Sequence, residues 1–497
     1  MTPLRLQDGG GAPPLQSTPQ GSLPRGYAVR LGPHTKVCDG GRSLLGTSTG
    51  RLVYLKPRAA ALLDDDLVTV TDGTSAALAR LLLDRDLVDP WWPDRADDSE
   101  VSDVVVVVPV RDRPAQLDRL LGALPPQVRV VVVDDGSTDE ASTARIARRH
   151  GATVVRHEVS RGPAAARNTG FRAADAAYVA FLDSDVVPQH GWLAALRRHF
   201  DDPLLGLVAP RVLGLAPDPA GRRAARREAR GWLHRYEAAR SSLDLGDDPA
   251  SVRPHGQVAY LPSAALMVRR EAWGSGFDED LRVGEDVDLV WRTHEAGWRI
   301  RYEPAAVVRH EHRTDVSAWL SRKAFYGTSA DLLAARHGDA VAPMVLNPWT
   351  AVFAGALLAQ RRWSIPVAAA AYAVTTLRIS RRLQRSDSPV RTAASLTAVG
   401  AVASLWQTAS ALNRHYWPVA VAAAVVSRRA RRALLVAALA EALLDHHRTR
   451  SDLDPLRYLV ARRLDDLAYG SGVWLGAWRG RSLRALRPAV KGFDLLR

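Results

Sequence analysis

The stretch Val128-Arg-Val-Val-Val-Val-Asp-Asp-Gly-Ser-Thr-Asp139 decides the fold of this chain. It is a continuous run of β-branched residues that ends in a polar turn, and a second such run, Asp103-Val-Val-Val-Val-Val108, precedes it. Uninterrupted apolar strands are typical of parallel sheets that are buried on both faces. Helix-type sequence follows the two runs, at 115–124 and 141–150. The alternation predicts an open α/β sheet with right-handed crossovers.

Carboxylates follow the predicted strands directly. Asp134 and Asp135 end the first quoted run, and Asp183-Ser-Asp185 follows a short apolar strand at Tyr178–Leu182. Open α/β sheets bind ligands at the carboxyl ends of their strands. Asp183 and Asp185 are spaced to hold Mg²⁺ or Mn²⁺ across two phosphate oxygens, with phosphate and water completing the shell. The alternative for Asp134 and Asp135 is an ordinary turn, because Asp-Gly often follows a strand.

Two further motifs open predicted helices. Arg161-Gly-Pro-Ala-Ala-Ala-Arg167-Asn168 is a Gly-Pro turn whose Arg and Asn suit an anionic ligand, although the arginines could also simply cap the helix. Gly284-Glu285-Asp286-Val-Asp288 places acids where the helix dipole favours them, so a plain acidic first turn is the alternative. The same dipole is expected to keep Asp286 ionised, as a general base must be.

Two histidines end a later predicted strand, in Val307-Val-Arg-His310-Glu-His312. A lone surface histidine usually has no special role. Because imidazole also ligates divalent metals, His310 is predicted to complete the metal shell, and His312 is the weaker candidate.

In combination these motifs resemble the inverting family-2 glycosyltransferases, over roughly residues 101 to 315. The resemblance rests on several short motifs in the family's order: Val108-Pro109, Asp134-Asp135-Gly-Ser-Thr-Asp139, Ala166-Arg167-Asn168-Thr-Gly170, Asp183-Ser-Asp185, Pro262-Ser-Ala-Ala265 with Arg269, Gly276-Phe277-Asp278-Glu279 and Gly284-Glu285-Asp286. It implies the α/β nucleotide-diphospho-sugar (A-type) glycosyltransferase fold, and a metal-dependent transfer from a nucleotide-sugar donor.

The resemblance also implies roles for individual residues. Those that would contact the donor are Pro109, Asp134 and Asp135 at the uracil and ribose, and Arg167, Asn168 and Asp183 at the diphosphate. Those that would hold the metal are Asp183, Asp185 and His310. Asp286 would deprotonate the acceptor hydroxyl, with Glu285 as the second catalytic residue. No Gln-x-x-Arg-Trp motif follows Asp286. Processive polymer synthases carry that motif, so a short glycan is the expected product.

The length of 497 residues predicts more than one domain. Residues 1–40, which are rich in Gly, Pro, Ser and Gln, are expected to form a flexible arm. Residues 41–95 are expected to form a small accessory domain, α/β or winged-helix-like. The glycosyltransferase domain is placed at 100–340, and a basic, Ala-rich helical region at 341–497.

The helical region is predicted to associate with a membrane. Its apolar segments are separated by arginine clusters, which suit the acidic cytoplasmic leaflet, and they would lie on the bilayer or cross it once or twice. Most of them are short and Ala-rich for a span, so a soluble helical bundle is the alternative. The single cysteine, Cys38, and the lack of an apolar leader predict a catalytic domain that faces the cytoplasm at the cell membrane.

The formal net charge of +14 also suits a nucleic acid, but no recognition motif accompanies it, so no nucleic-acid partner is expected. The layout, including Leu55-Lys56-Pro57-Arg58 and Thr71-Asp-Gly-Thr74, resembles the mycofactocin-biosynthesis glycosyltransferases of actinobacteria. That family implies transfer from UDP-glucose to a peptide-derived redox-cofactor precursor. A cell-envelope lipid or polysaccharide acceptor is the alternative, and a degenerate protein that binds nucleotide without catalysis is a second one.

Overall fold

The structure is a computed structural model that describes residues 21–94, 98, 101–215, 231–311 and 315–490. Three parts follow one another along the chain. They are a small N-terminal unit, a large central sheet covered by helices, and a set of C-terminal helices.

The small N-terminal unit contains two three-stranded sheets, ordered β5-β1-β6 and β2-β3-β4. Its strands are β1 Ala28–Leu31, β2 Thr35–Cys38, β3 Ser43–Gly46, β4 Leu52–Tyr54, β5 Leu67–Thr69 and β6 Val88–Trp91, and its helices are α1 Pro57–Ala60 and α2 Gly73–Asp84. Asp72 caps α2 by accepting a hydrogen bond from the Ser75 amide at 2.8 Å. The long helix then buries Leu78, Ala79 and Leu82 against the strands.

The expectation of a flexible arm over residues 1–40 is wrong for residues 21–40. Strand β1 lies in the centre of its sheet, paired on both edges, and Val29 is fully buried there. Leu23 and Tyr27 are also buried in the same core. Composition alone missed this because the residues that pair with strand β1 lie 37 to 63 positions further along the chain. Residues 1–20 lie outside the described part of the chain.

In the part of the chain that the structure describes, the central sheet has nine strands, ordered β11-β15-β12-β14-β10-β7-β8-β9, with β13 paired to β15. The strands are β7 Val104–Val110, β8 Arg129–Asp135, β9 Thr153–His157, β10 Tyr178–Leu182, β11 Val186–Pro188, β12 Leu205–Gly214, β13 Ala250–Ser251, β14 Ala265–Arg269 and β15 Arg299–His310. Strands β7 to β10 run parallel where they pair. The predicted α/β sheet is therefore confirmed.

Helices cover both faces of the sheet, which explains the unbroken valine runs. Val106 and Val108 pack in one core and Val105 and Val107 in the other. The covering helices are α3 Pro114–Ala123, α4 Glu140–Arg149, α5 Pro163–Ala173, α6 Trp192–Arg197 and α8 Glu285–Glu295. Helix α7 Trp232–Arg240, which comes between α6 and α8 in the chain, buries Leu233 and Tyr236 in a separate cluster with Trp319 and Tyr458. Because successive side chains of a strand point to opposite faces, both faces need apolar residues here.

Within residues 315–490, the C-terminal part is helical apart from a short parallel pair, β16 Val345–Leu346 and β17 Ala489–Val490. Its helices are α9 Val316–Gly327, α10 Ser329–His337, α11 Pro348–Ala359, α12 Ser364–Arg382, α13 Pro389–Arg414, α14 Trp417–Val426, α15 Arg428–Thr449 and α16 Pro455–Arg479. Among the helices of the described ranges, none combines the length and apolar character that crossing a bilayer requires.

Helices α9 and α16 approach each other so closely that glycine is required at the contact. A β-carbon on Gly327 would lie 2.1 Å from the carbonyl oxygen of Tyr469, and one on Gly472 would lie 1.8 Å from that of Ala324. Both distances are far below van der Waals contact. Helix α16 therefore packs backbone against backbone on the end of α9.

A group of buried charges joins helices α15 and α16, and we call it the helical charge cluster. It consists of Arg462, Arg463, Glu441, Asp445 and Asp466. Arg462 lies 2.5 Å from Glu441 and 2.9 Å from Asp466, and all three side chains are at most 3% exposed. Buried charges are tolerated when they are paired in this way.

Candidate active site

The sheet order brings the predicted site residues to one edge. Strand β10 pairs in parallel with β7, and β7 with β8, where Val110 lies opposite Asp134. The segments that follow these three strands therefore lie side by side. Pro109 lies near the end of β7, and Asp183 comes directly after β10.

Asp135 is buried and fully engaged by the turn that leads into helix α5. One carboxylate oxygen pairs with His157 Nδ1 and accepts from the Arg161 amide, both at 2.8 Å. The other accepts from the Ser160 hydroxyl at 2.7 Å and from the Gly162 amide at 2.9 Å. Burial acts to raise the pKa of Asp135, but these hydrogen bonds outweigh it and hold the pKa below its usual value. Asp135 thus fixes the loop beside the predicted nucleotide pocket.

Asp134 is also buried and paired. Its Oδ1 accepts from the Ser137 amide at 2.9 Å, and its Oδ2 lies 2.5 Å from Arg156 Nη1. Both predicted ribose-pocket acids are therefore held rigidly at the strand end, with Pro109 partly exposed on the neighbouring strand.

Arg167 links the loop that follows strand β10 to the start of helix α8. Its Nη2 donates to Asp183 Oδ1 at 2.6 Å, and its Nη1 lies 3.6 Å from Glu285. Burial acts to lower the pKa of Arg167, but Asp183 and Glu285 outweigh it and raise the pKa. The buried Nε and Nη1 atoms have no hydrogen-bond partner in the described part of the chain. We call Arg167, Asp183, Glu285 and Asp286 the site cluster.

Asn168, predicted to lie beside the nucleotide, uses its amide to hold the turn at 276–279. Its Nδ2 donates to the Phe277 carbonyl at 2.8 Å and to Glu279 at 3.0 Å, and its Oδ1 accepts from the Phe277 amide at 3.0 Å. Gly276 has a φ of +75°, and a β-carbon there would lie 2.7 Å from Asn168 Oδ1. The glycine is needed for this close approach.

Asp286 lies in the first turn of helix α8 and is half-buried. Its oxygens accept hydrogen bonds from the Val287 amide at 2.8 Å and the Ser263 amide at 3.3 Å. Burial, and then the charge of Glu285, raise the pKa of Asp286 to about 7, against the opposing effect of these amides and of Arg167. The expectation that the helix dipole alone keeps this carboxyl ionised is therefore corrected. Near neutral pH, the carboxyl group of Asp286 is therefore close to the midpoint of its titration.

Asp288, two residues further on, has a different environment. It is fully buried and accepts hydrogen bonds from Arg292 at 2.7 Å and from His337 at 3.0 Å. Burial acts to raise its pKa, but His337 and Arg292 outweigh it and lower the pKa to about 2. Asp288 therefore fastens helix α8 to helix α10.

The predicted metal ligands come together only in part. His310 Nε2 lies 3.4 Å from Asp185, because Val186 pairs with His310 across β11 and β15. Asp185 also forms an ion pair with Arg113, while Asp183 is paired with Arg167. Within the described ranges, no three His, Cys, Asp or Glu side chains converge on one point. His312 lies outside the described residues.

These residues nevertheless fit a divalent cation that is bound mainly through its substrate. Mg²⁺ and Mn²⁺ at phosphate sites often take only one or two carboxylates, with phosphate oxygens and water completing the shell. Asp185 would supply one carboxylate and His310 one imidazole, and His310 Nδ1 is buried without a hydrogen-bond partner among the described residues. The unpaired donors of Arg167 suit the phosphates themselves.

The sequence interpretation missed two groups that complete the site. Arg113 pairs with Asp185, and the amide of Ser263 donates to Asp286. Arg113 lies in the loop that follows β7, so the rule that strand-end loops bind ligands could have pointed to it. The role of the Ser263 amide has no such signal, because any residue type supplies an amide.

The sequence of this chain is similar to those of known glycosyltransferases. Residues 105–253 match the family described as Glycosyl transferase family 2. The pre-mycofactocin glycosyltransferase of Mycobacterium tuberculosis is 44% identical over 485 residues, which cover 94% of this chain and 99% of that protein. The succinoglycan biosynthesis protein ExoU of Rhizobium meliloti is 25% identical over 258 residues, covering 47% of this chain and 70% of that protein.

Among solved structures, the mannosyltransferase PcManGT from Pyrobaculum calidifontis, in complex with GDP-Man and Mn²⁺, matches with a TM-score of 0.36 and 23% identity. The match covers 64% of this chain and 90% of that one.

Proposed function

Because this chain belongs to glycosyl transferase family 2, we propose that it transfers glucose from UDP-glucose, with inversion and with a divalent metal, onto a peptide-derived pre-mycofactocin acceptor. The acceptor proposal is supported by the 44% identity to the pre-mycofactocin enzyme, which extends well beyond the family-wide region of 105–253. The region aligned with that enzyme therefore includes the small N-terminal unit and the C-terminal helices.

Asp286 is the proposed general base. The observation that best supports this role is the environment of its carboxyl group. It is a half-buried carboxyl with a pKa of about 7. General bases work best when their pKa lies near the working pH. The acceptor hydroxyl gives its proton to Asp286 and its oxygen attacks the anomeric carbon. The bond from that carbon to the diphosphate oxygen breaks, and its electron pair leaves with the diphosphate. A single displacement of this kind inverts the anomeric centre.

The other members of the site cluster support this step. Glu285 lies next to Asp286, and its charge favours the protonated form of that carboxyl. Glu285 also lies 3.6 Å from Arg167 Nη1, and the Nη1 and Nε atoms of Arg167 have no hydrogen-bond partner in the described part of the chain. Arg167 is therefore proposed to bind the diphosphate, with Asp134, Asp135 and Asn168 shaping the nucleotide pocket around it.

The proposed metal ligands are Asp183, Asp185 and His310. A divalent cation bound there would neutralise the negative charge that develops on the departing diphosphate. Arg113 and Arg167 already balance the two carboxylates from either side. The absence of the processive Gln-x-x-Arg-Trp motif supports a short oligosaccharide as the product.

The protein is further proposed to work at the cytoplasmic face of the cell membrane. Helix α14 exposes apolar side chains, with Val425 and Val426 at 72% and 86% exposure. Arg428 and Arg429 follow after one serine. Apolar side chains flanked by arginines suit the interface of an anionic bilayer. The same observation favours the second candidate acceptor, a cell-envelope lipid.

The test is mass spectrometry of the purified protein incubated with Mn²⁺, UDP-glucose and pre-mycofactocin. Successive hexose additions are expected with the wild-type protein, and Asp286→Asn should slow them by about 10²-fold or more. No addition by a wild-type protein that still binds UDP would exclude the proposed acceptor. An envelope-lipid extract would then be the next substrate.

A further inference from the structure

A cavity lies between the small N-terminal unit and the C-terminal helices. Its volume is about 240 Å³. The apolar residues that line it are Leu52, Pro348, Trp349, Ile379, Leu383 and Leu396. They come from strand β4, from helix α11, and from helices α12 and α13 with the loop between them. The cavity therefore forms only where these two parts of the chain meet, and it shares no residue with the site cluster.

Both sides of the cavity are held in place by packing and hydrogen bonds. Leu383 is buried, and Leu52 of the N-terminal unit packs against the apolar cluster that contains it. Nearby, Asp39 Oδ1 accepts hydrogen bonds from the Asp387 amide at 2.8 Å and from the Ser386 hydroxyl at 3.0 Å. These bonds fasten the N-terminal unit to the loop that joins α12 and α13.

Two arginines of helix α12, Arg378 and Arg382, also line the cavity. They are four positions apart, so they lie on one face of the helix. Both are exposed, which places them at the mouth of the cavity, and within the described ranges neither has an ion-pair, hydrogen-bond or ring partner. A guanidinium binds phosphate or carboxylate oxygens through two parallel hydrogen bonds. The cavity thus combines an apolar interior with two unpaired cations at its mouth.

This combination suits an amphiphile with an anionic head, and the lining favours an acyl chain over a peptide. Each residue of a peptide would bring an amide and a carbonyl, which cost free energy when they are buried without hydrogen-bond partners. The leucine and isoleucine side chains of the cavity offer no such partners, and an acyl chain needs none. A methylene group fills about as much space as a water molecule, about 30 Å³, so the cavity holds a chain of about eight carbons.

The surface beside the cavity favours a membrane lipid as the source of that chain. Val374 and Leu377 of helix α12 are 47% and 53% exposed. Val374 lies one helical turn before Arg378, so apolar and basic side chains share this surface. Such a surface suits the interface of an anionic bilayer.

We propose that the cavity binds one acyl chain of an anionic membrane phospholipid, with the lipid phosphate between Arg378 and Arg382. The bound lipid would contact the N-terminal unit and the C-terminal helices at the same time. It would therefore stabilise the contact between them. The proposal does not depend on the reaction proposed for Asp286.

The test is calorimetric titration of the full chain with octyl phosphate, whose chain matches the cavity in length. UDP is present throughout, so that the proposed donor site is occupied. One-to-one binding is expected. Inorganic phosphate and octanol, which each carry only one part of the ligand, should bind at least about tenfold more weakly.

Replacing both arginines, Arg378→Gln with Arg382→Gln, should weaken octyl phosphate binding by about tenfold or more, because charge-assisted hydrogen bonds are lost. Leu396→Trp should weaken it similarly, because the indole fills the cavity. Arg381→Gln is the matched control, since Arg381 is an exposed arginine of the same helix that does not line the cavity. This variant should bind octyl phosphate like the wild-type protein.

Competition tests the phospholipid as the source of the chain. Vesicles that contain phosphatidylglycerol should displace bound octyl phosphate. Phosphatidylcholine vesicles should not, and they also control for probe that is taken up by the bilayer.

Four results would overturn the lipid site. They are no binding of octyl phosphate by the wild-type protein, unchanged binding by Leu396→Trp, equal weakening in Arg381→Gln, and no displacement by phosphatidylglycerol vesicles. The third would reduce the contact to a general attraction between charges, and the fourth would assign the cavity to a soluble anionic ligand. The reaction proposal fails separately, because it is judged by hexose transfer to pre-mycofactocin.

Discussion

The protein contains two groups of buried charges that differ in how they are balanced. In the helical charge cluster, Glu441, Asp445 and Asp466 each have an arginine within 3.3 Å. In the site cluster, Asp286 accepts hydrogen bonds from two backbone amides, and no arginine of the described chain lies within ion-pair distance of it.

The two groups of charges contain residues that differ in whether they change their protonation state near neutral pH. Burial acts to lower the pKa of Arg462, but the surrounding carboxylates raise it well above its usual value, so that group stays charged at all working pH values. Asp286, by contrast, has a pKa of about 7 and changes its protonation state near neutral pH. A buried acid that lacks its own cation is the stronger candidate for proton transfer.

The strongest test of this comparison is Asp286→Asn. Hexose transfer should fall by about 10²- to 10⁴-fold, because an amide cannot accept the acceptor proton. UDP affinity, measured by calorimetry, should stay within twofold of the wild-type value, since the proposed role of Asp286 is to bind the acceptor proton and not the donor. A variant that lost UDP affinity instead would make Asp286 a donor ligand.

The matching test in the helical charge cluster is Arg462→Leu. Removing one partner of a buried pair should lower the free energy of unfolding by about 3–5 kcal/mol, measured by denaturant titration. The control is Arg42→Ala, which removes a pair with Asp387 in which both side chains are more than 60% exposed. Its cost should be below about 1 kcal/mol. If Arg462→Leu reduced transfer without reducing stability, the cluster would have a role in function.

The proposed metal ligands are tested by Asp183→Ala and Asp185→Ala. Each should weaken UDP binding by about 10- to 100-fold in the presence of Mn²⁺ and leave binding without metal unchanged. Glu311→Ala is the control, because Glu311 is a neighbouring carboxylate that is paired with Arg119 at the surface. Equal losses with and without Mn²⁺ would remove both aspartates from the metal site.

The smallest expected effect is a shift of the pH profile. The transfer rate should rise from about pH 6 to about pH 8 as Asp286 loses its proton. Glu285→Gln removes the neighbouring like charge, so the midpoint should move to lower pH. An unchanged midpoint would mean that Glu285 does not control this titration.

The same pKa predicts a pH-dependent stability. The pKa of Asp286 is raised from 3.8 to about 7, so the folded state holds the proton more tightly than the unfolded chain. The stability that this proton confers is present below about pH 4 and is lost as the pH rises through 7. Asp286→Asn should therefore raise the melting temperature more at pH 8 than at pH 5.

Local sequence patterns predicted much of the central sheet. The strands expected at 103–108, 128–133 and 178–182 are found at Val104–Val110, Arg129–Asp135 and Tyr178–Leu182. These segments are buried on both faces, so their apolar residues are continuous and the sequence predicts β-strand for each of them. The positions of Asp134 and Asp183 followed from the strand ends.

The missed features depend on residues that are distant in sequence. His337 contacts Asp288 from 49 positions away, and Phe277 contacts Asn168 from 109 positions away. The raised pKa of Asp286 depends on burial beside Glu285, whereas the sequence suggested only a helix dipole. Such pairings have no local signal, because they form only when the chain has folded.

The close packing of Gly472 and Gly476 against the α9–α10 junction has a consequence for synthesis on the ribosome. Strands β7, β8 and β10 have all been synthesised by Leu182, whereas helix α16 ends at Arg479. A nascent chain can therefore pair these strands long before α16 is available to pack against the junction of α9 and α10. A chain terminated before α16 would keep these strands but lack that packing.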